Sequence, residues 1–216
     1  MKLCGRVWNF SSIIWDFDGV ILDSMPVRNA GFELVLHEYS DSMKKRLLEY
    51  HLENGGLSRY AKFRYFQEKI LNTDYNERQV NKWAQHFKEI MLEKLIDHSL
   101  LIKDTVTFLE KNADKYNFHI ASGSDQTELR EIVARLNLSP FFKSVYGSPT
   151  AKKELVSKII HENSYRPDGC CLIGDSRNDY DAARFNSIAF YGYNNDSLRS
   201  IGEGYIESFD LLSIDD

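Results

Sequence analysis

Ile13-Ile14-Trp15-Asp16-Phe17-Asp18-Gly19-Val20 is the stretch on which the reading of this chain turns. A short apolar strand ends in two carboxylates separated by one residue, and a glycine follows. In a parallel α/β sheet, ligands bind beyond the carboxyl ends of strands, so this pair would stand in the crevice. Two acids this close repel each other and attract a divalent cation, Mg²⁺ being the usual partner where oxygen ligands and phosphate meet. One acid could then attack a phosphorus centre while the other handles protons. Acids also follow strands as plain turn residues or helix caps, so the pair needs support from the rest of the chain.

That support comes in order along the sequence. Ser122 ends a second apolar stretch, Phe118-His119-Ile120-Ala121-Ser122-Gly123-Ser124, and Lys152 opens a helical pattern. A further strand, Cys170-Cys171-Leu172-Ile173, runs into Gly174-Asp175-Ser176-Arg177-Asn178-Asp179. Asp-x-Asp, then Ser, then Lys, then Gly-Asp-x-x-x-Asp, each at a strand end or helix start, resembles the haloacid dehalogenase-like hydrolase superfamily. The resemblance spans nearly the whole chain and points to its phosphoglycolate phosphatase and β-phosphoglucomutase-like group.

Periodicity gives the organisation. A strand at about 12–16 is followed by helical patterning from Pro26, a residue suited to a helix start, to about His98. Ala30, Phe32, Leu34, Val35 and Leu36 mark a first helix, and Met43, Leu47 and Leu48 a second. Tyr60, Phe63, Phe66 and Ile70 mark a third, and Val80, Trp83, Ala84, Phe87, Ile90, Met91 and Leu95 a fourth. From Leu100 strands and helices alternate, with strands expected at 117–122, 143–146, 169–174, 187–191 and near 204–206. The fold class is therefore α/β: a Rossmann-like parallel sheet with helices on both faces, built from residues 1–22 and 100–216, and an all-helical insert at 23–99. The hinges are expected near Leu22–Pro26 and Asp97–Lys103. The resemblance implies that the insert is a cap that closes over the active site.

With 216 residues, 43% hydrophobic and 27% charged, the chain has ordinary globular proportions. A net charge of −5 argues against a general binder of nucleic acid or membrane surfaces. Met1 to Ser12 lack the apolar core of a signal peptide, and no stretch approaches the ~18 apolar residues of a membrane span. The three cysteines, Cys4, Cys170 and Cys171, lack metal-site spacing and read as reduced structural residues of a cytoplasmic protein. Oligomeric state is not legible.

The residues divide the chemistry as follows. Asp16 is the nucleophile, forming an aspartyl phosphate that splits a slow hydrolysis into two easier steps. Asp18 is placed to protonate the leaving alcohol and then to deprotonate the attacking water. By resemblance, Mg²⁺ is held by Asp16, by the backbone carbonyl of Asp18 and by Asp175. Ser122 and Gly123 offer a hydroxyl and N–H groups to the phosphate, and the helix marked by Leu129, Ile132, Val133 and Leu136 points its N-terminus there. Ser124 or Asp125 would cap that helix. Lys152 or Lys153 supplies the cation; Leu155, Val156, Ile159 and Ile160 put Lys152 on the inward face. Asp179 would hold a metal-bound water or the lysine, whereas Asp181 reads as a surface charge. His37, His51, His86, His98, His119 and His161 read as structural or exposed.

In the insert, a glycine pair before a helix permits close backbone approach to a ligand. Gly55-Gly56-Leu57-Ser58-Arg59 is similar to the Gly-Val-Ser-Arg element of β-phosphoglucomutase-like members, where cap residues contact substrate. Arg59 is then a substrate-binding residue, and Arg28 a weaker candidate of the same kind. The resemblance thus implies a Mg²⁺-dependent phosphatase of a small phosphorylated metabolite, sugar phosphates among the candidates. A phosphomutase shares the Asp pair, but mutase relatives carry Glu-Asp where this chain has Gly174-Asp175, and a histidine near the position of Arg28. Dehalogenases need no metal and lack the second acid. Receiver-like phospho-aspartate modules carry the acceptor on a later strand of a shorter domain without a helical insert.

Overall fold

The structure is a computed structural model that describes residues 10–54 and 57–212, together with the backbone of two short paired strands, β1 (Lys2–Leu3) and β2 (Arg6–Val7). Cys4, Gly55 and Gly56 lie outside the described residues. Strand β3 (Ser12–Trp15) leads into helices α1 (Met25–Val35), α2 (Asp41–Glu53), α3 (Arg59–Tyr65) and α4 (Glu77–Lys94). The alternating half follows: α5 (Lys103–Asn112), β4 (Asn117–Asp125), α6 (Gln126–Arg135), β5 (Phe142–Ser148), α7 (Lys152–Glu162), β6 (Cys170–Gly174), α8 (Arg177–Phe185), β7 (Ala189–Tyr193) and β8 (Gly204–Ile206).

Strands β3 to β8 form one parallel sheet in the order β5-β4-β3-β6-β7-β8. The chain leaves β3 toward β4 and β5 on one side, then returns to β6 on the other. That reversal makes the crevice beyond β3 and β6 the topological switch point, where α/β sheets bind ligands. A sheet covered on both faces needs strands apolar on both faces, and the run Ile13-Ile14-Trp15 is buried throughout. Ile13, Trp15 and Cys171 pack with α5 and α6, while Ile14, Cys170 and Leu172 pack with α7 and α8. The adjacent cysteines therefore face opposite layers, and both are free thiols.

Helices α1 to α4 carry an aromatic core of their own. Phe32 meets Phe87 at a ring-centroid distance of 4.5 Å and Phe63 at 5.2 Å, and Phe66 meets Trp83 at 5.7 Å. The third helix departs from the regular helix its spacing predicts: after Tyr65 it widens into a π-turn over Phe66–Ile70. The Leu71 N–H reaches back to the Phe66 carbonyl at 2.9 Å, and both Phe66 and Ile70 are buried. The two connections between this layer and the sheet run side by side. Leu22 bridges Leu101, Asp23 N–H donates to the Leu100 carbonyl at 2.8 Å, and Ile102 N–H donates to the Ile21 carbonyl at 3.0 Å. No described helix is long and apolar enough to cross a membrane.

Candidate active site

Parallel register pairs Trp15 with Ile120 and Ile173, which sets the Asp16 backbone beside the ends of β4 and β6. Asp16 N–H continues the ladder onto the Ile173 carbonyl at 2.9 Å. One Asp16 carboxylate oxygen accepts from the Phe17 N–H at 2.7 Å and from Lys152 Nζ at 2.9 Å. Lys152 is delivered by the first turn of α7, whose Leu155, Val156 and Ile159 pack on the sheet. Its neighbour Lys153 is exposed, with its ammonium 5.1 Å from the centroid of the Phe185 ring. The same Lys152 ammonium donates to Asp179.

Asp179 performs two tasks. Its other oxygen accepts from Ser176 N at 3.0 Å and Ser176 Oγ at 2.5 Å, closing a capping box at the start of α8. Gly174 allows this: a Cβ there would sit 2.4 Å from the Asp179 side chain. Of the two roles open to Asp179, holding the lysine is the one the contacts display.

Asp16, Asp175 and Asp179 bring carboxylate oxygens within 4.8 Å of one another. Oxygen donors without nitrogen or sulfur form a hard set, suited to Mg²⁺, Mn²⁺ or Ca²⁺. The electrostatics favour such a guest. Burial, then the charge of Asp179, outweighs Lys152 and pushes Asp16 up to about 7. Asp175 is raised for the same reason, first by burial and then by Asp16 and Asp179. Lys152 alone does not neutralise three acids. Gly19, at φ +76°, folds the chain so tightly over this cluster that a Cβ would come within 2.1 Å of Asp175 Oδ2.

The Asp18 side chain turns away from that cluster. Oδ1 accepts from Ser24 Oγ at 2.5 Å and Arg28 Nε at 2.6 Å, and Oδ2 accepts from Ser124 Oγ at 2.5 Å. Burial would raise this carboxyl, but Arg28 and the two serine hydroxyls outweigh it and hold it below the usual carboxylate range. Any metal contact from Asp18 thus falls to its backbone. Ser122, fully buried at the end of β4, accepts the Ser124 N–H at 3.1 Å, which leaves its hydroxyl hydrogen available to donate. Asp125 takes the capping role, accepting from Thr127 N and Glu128 N at 3.1 Å each.

Arg59 sits on the first turn of α3, as expected, but it is buried and the anions it grips belong to the protein. It pairs with Glu128, and with Asp125 at 3.3 Å. Arg28 donates to the other Glu128 oxygen at 3.1 Å. Glu128, on the first turn of α6, therefore ties α1 and α3 to the sheet half. Sequence reasoning missed it, since an acid in a first helical turn is ordinary. It also passed over Ser24 as a partner of Asp18, and over Lys62, which meets His51 at 2.7 Å. Arg28, Arg59, Lys62, His51, Asp18 and Gly123 all line one cavity between the helical layer and the sheet.

Comparison with known proteins agrees with this geometry. A family model described as haloacid dehalogenase-like hydrolase matches residues 13–192. The fold resembles β-phosphoglucomutase from Clostridium difficile, at TM-score 0.76 and 16% identity over 94% of this chain and 93% of that one. It also resembles a predicted phosphatase from Clostridium acetobutylicum (0.74, 16%, 93% and 95%) and a predicted phosphoglycolate phosphatase from Haemophilus somnus (0.71, 16%, 93% and 95%). No curated protein matches in sequence. With the family model covering most of its length and the acidic cluster at the switch point of a parallel sheet, the chain belongs to the haloacid dehalogenase-like hydrolase family.

Proposed function

We propose that the protein is a Mg²⁺-dependent phosphatase of a small phosphorylated metabolite, with residues 23–99 as a cap over the site. The observation that carries the reading is the Asp16–Lys152–Asp179 chain beside Asp175, a buried acid cluster with a single fixed ammonium. Asp16 attacks phosphorus, and Lys152 holds it in place and offsets charge on the phosphoryl oxygens. Ser122 Oγ and the backbone at Gly123 bind those oxygens. Asp18, kept ionised by Arg28, is set to take a proton from the hydrolytic water; its work as an acid on the leaving oxygen requires Arg28 to withdraw. Asp16, Asp175 and the Asp18 carbonyl would hold Mg²⁺, which would supply charge neutralisation for the incoming dianion.

Hydrolysis is favoured over mutase chemistry by position 174. Mutase relatives carry glutamate there, and here any side chain would collide with Asp179. The test is phosphate release from p-nitrophenyl phosphate and a panel of phosphorylated metabolites, with Mg²⁺ and after chelation. Asp16→Asn, which nearly preserves volume, should abolish turnover and leave the fold intact. Activity surviving in that variant above a few per cent of wild type, or surviving chelation, would remove Asp16 or the metal from the scheme.

A further inference from the structure

Two consecutive asparagines beyond the end of β7 join the two segments of chain that carry the acid cluster. β7 lies beside β6 with Gly192 in register with Gly174, so the residues that follow β7 arrive next to Asp175. Asn195 Nδ2 donates to the Asp175 carbonyl at 2.7 Å. Asn194 Nδ2 reaches one strand further and donates to the Gly19 carbonyl at 3.0 Å, across 175 residues of sequence. Gly19 directly follows Asp18, whose own carbonyl would be the backbone ligand of the metal. The pair therefore stitches the loop after β3 to the loop after β6.

Both amides are held for this task. Asn194 takes φ +53°, a left-handed conformation that asparagine adopts more readily than most residues. Asn195 spends its oxygen on the turn that follows, accepting from Ser197 N at 3.1 Å and Ser197 Oγ at 2.8 Å. With the oxygen fixed on that side, the amide hydrogens face Asp175.

Charge works against the stitch. Asp16, Asp175 and Asp179 bring carboxylate oxygens within 4.8 Å of one another, and in their ionised form they repel. A frame free to spread suits a large ion, and one held narrow suits a small ion. Mg²⁺ demands near-ideal octahedral geometry with oxygens at about 2.0–2.1 Å, whereas Ca²⁺ takes more oxygens, at about 2.3–2.6 Å, in a flexible shell.

We propose, on the footing of the metal-dependent phosphatase reading, that Asn194 and Asn195 are positioning residues that set the size of cation the acid cluster accepts. By fixing the Gly19 and Asp175 carbonyls on one rigid turn, they keep the two loops close and favour Mg²⁺ over Ca²⁺. Their amides bond to backbone carbonyls, so they act through the ligands and not on the substrate.

Displacement of Mn²⁺ from the full chain, followed by the paramagnetic resonance of the free ion, reads Mg²⁺ and Ca²⁺ affinities without turnover. Asn194→Gly keeps the left-handed backbone and removes the amide. Asn195→Ser keeps an oxygen able to cap the turn at Asp196–Leu198 but is too short to span to Asp175. In the double variant Mg²⁺ affinity should fall about 10-fold and Ca²⁺ affinity less than ~3-fold, so the preference for Mg²⁺ over Ca²⁺ drops at least ~3-fold. A merely structural role would move both affinities together or neither. Circular dichroism and urea unfolding establish that the variant is folded. If the double variant does not fold, Asn194→Gly decides alone, since that side chain is exposed and its loss removes little packing; its expected drop in preference is at least ~2-fold. A smaller drop in a folded protein, or equal losses for the two ions, overturns the proposal. Failure of the phosphatase reading looks different: no ester releases phosphate with Mg²⁺, while the ion preference is still read by displacement. A wild type that binds neither ion removes the metal and the stitch together.

Discussion

Glu128→Ala should be among the most damaging single changes outside the acid cluster. Glu128 is fully buried and gives one oxygen to Arg28 at 3.1 Å and the other to Arg59, so its removal strips a carboxylate from two buried guanidinium groups at once. Breaking a buried pair from one side costs about 3–5 kcal/mol, because the surviving charge stays desolvated. Each arginine keeps a second acid, Asp18 at 2.6 Å for Arg28 and Asp125 at 3.3 Å for Arg59. That places the loss near the lower end, about 3 kcal/mol, or a melting temperature lower by roughly 6–12 °C for a chain of this size. Urea unfolding followed by circular dichroism and tryptophan fluorescence measures it. A double-mutant cycle with Arg59→Ala should return a coupling above ~1 kcal/mol. A loss under ~1 kcal/mol with coupling near zero would mean that water, not Glu128, satisfies these arginines, and the closed cap–sheet contact would have to be abandoned.

Lys152→Ala should lower kcat at least ~100-fold and Lys153→Ala less than ~3-fold, since only Lys152 reaches Asp16; comparable losses in steady-state assays would misplace the α7 face. Gly19→Ala should weaken Mg²⁺ binding at least ~10-fold by calorimetry, because the added methyl displaces Asp175; unchanged affinity would show that Asp175 is not a ligand in solution. His119 bears on acid stability. It is buried between Ser144 Oγ at 2.8 Å and Tyr165 OH at 3.0 Å, and burial, then the charge of Lys143, lowers its pKa to about 4. Between an unfolded value of about 6.5 and that folded value only the unfolded chain takes up the proton, so stability falls as pH drops, by up to ~1.4 kcal/mol per unit. The slope from His119 should be absent in His119→Gln when urea midpoints are compared from pH 7 to 5, and identical slopes would refute the assignment.

The parallel sheet and the helical insert were legible because they depend on local patterns. Short unbroken apolar runs such as Ile13-Ile14-Trp15 and Cys170-Cys171-Leu172-Ile173, ended by turn residues, fit strands buried on both faces, and 3.6-residue spacing identifies the helices between them. The inward position of Lys152 followed from the same arithmetic on Leu155, Val156 and Ile159. The contacts between cap and sheet were not legible. Glu128 meets Arg28 across 100 residues and Arg59 across 69, and His51 meets Lys62 between two helices whose packing no spacing rule gives. Arg59 reads from the sequence as a substrate-binding residue, and its protein partners Glu128 and Asp125 lie too far along the chain to be counted there. Asp18, likewise, is recognisable as an acid from its motif, but its ionised state is set by Ser24 and Arg28 at the start of α1 and by Ser124 at the end of β4, more than 100 residues away.

The paired connections at Leu22 and Leu101 give the helical layer two tethers bonded to each other, at Asp23 to Leu100 and Ile102 to Ile21. A lid on a single strand of chain can swing and twist in every direction. A lid on two adjacent tethers behaves as a door on a pinned jamb, with one easy rotation about the ribbon and stiff resistance to twist or slide. On the proposed cap reading, opening would lift Arg28 and Arg59 off Glu128 together, and closing would return both arginines to the same register. The ribbon at the hinge thus sets how reproducibly the distant side chains meet.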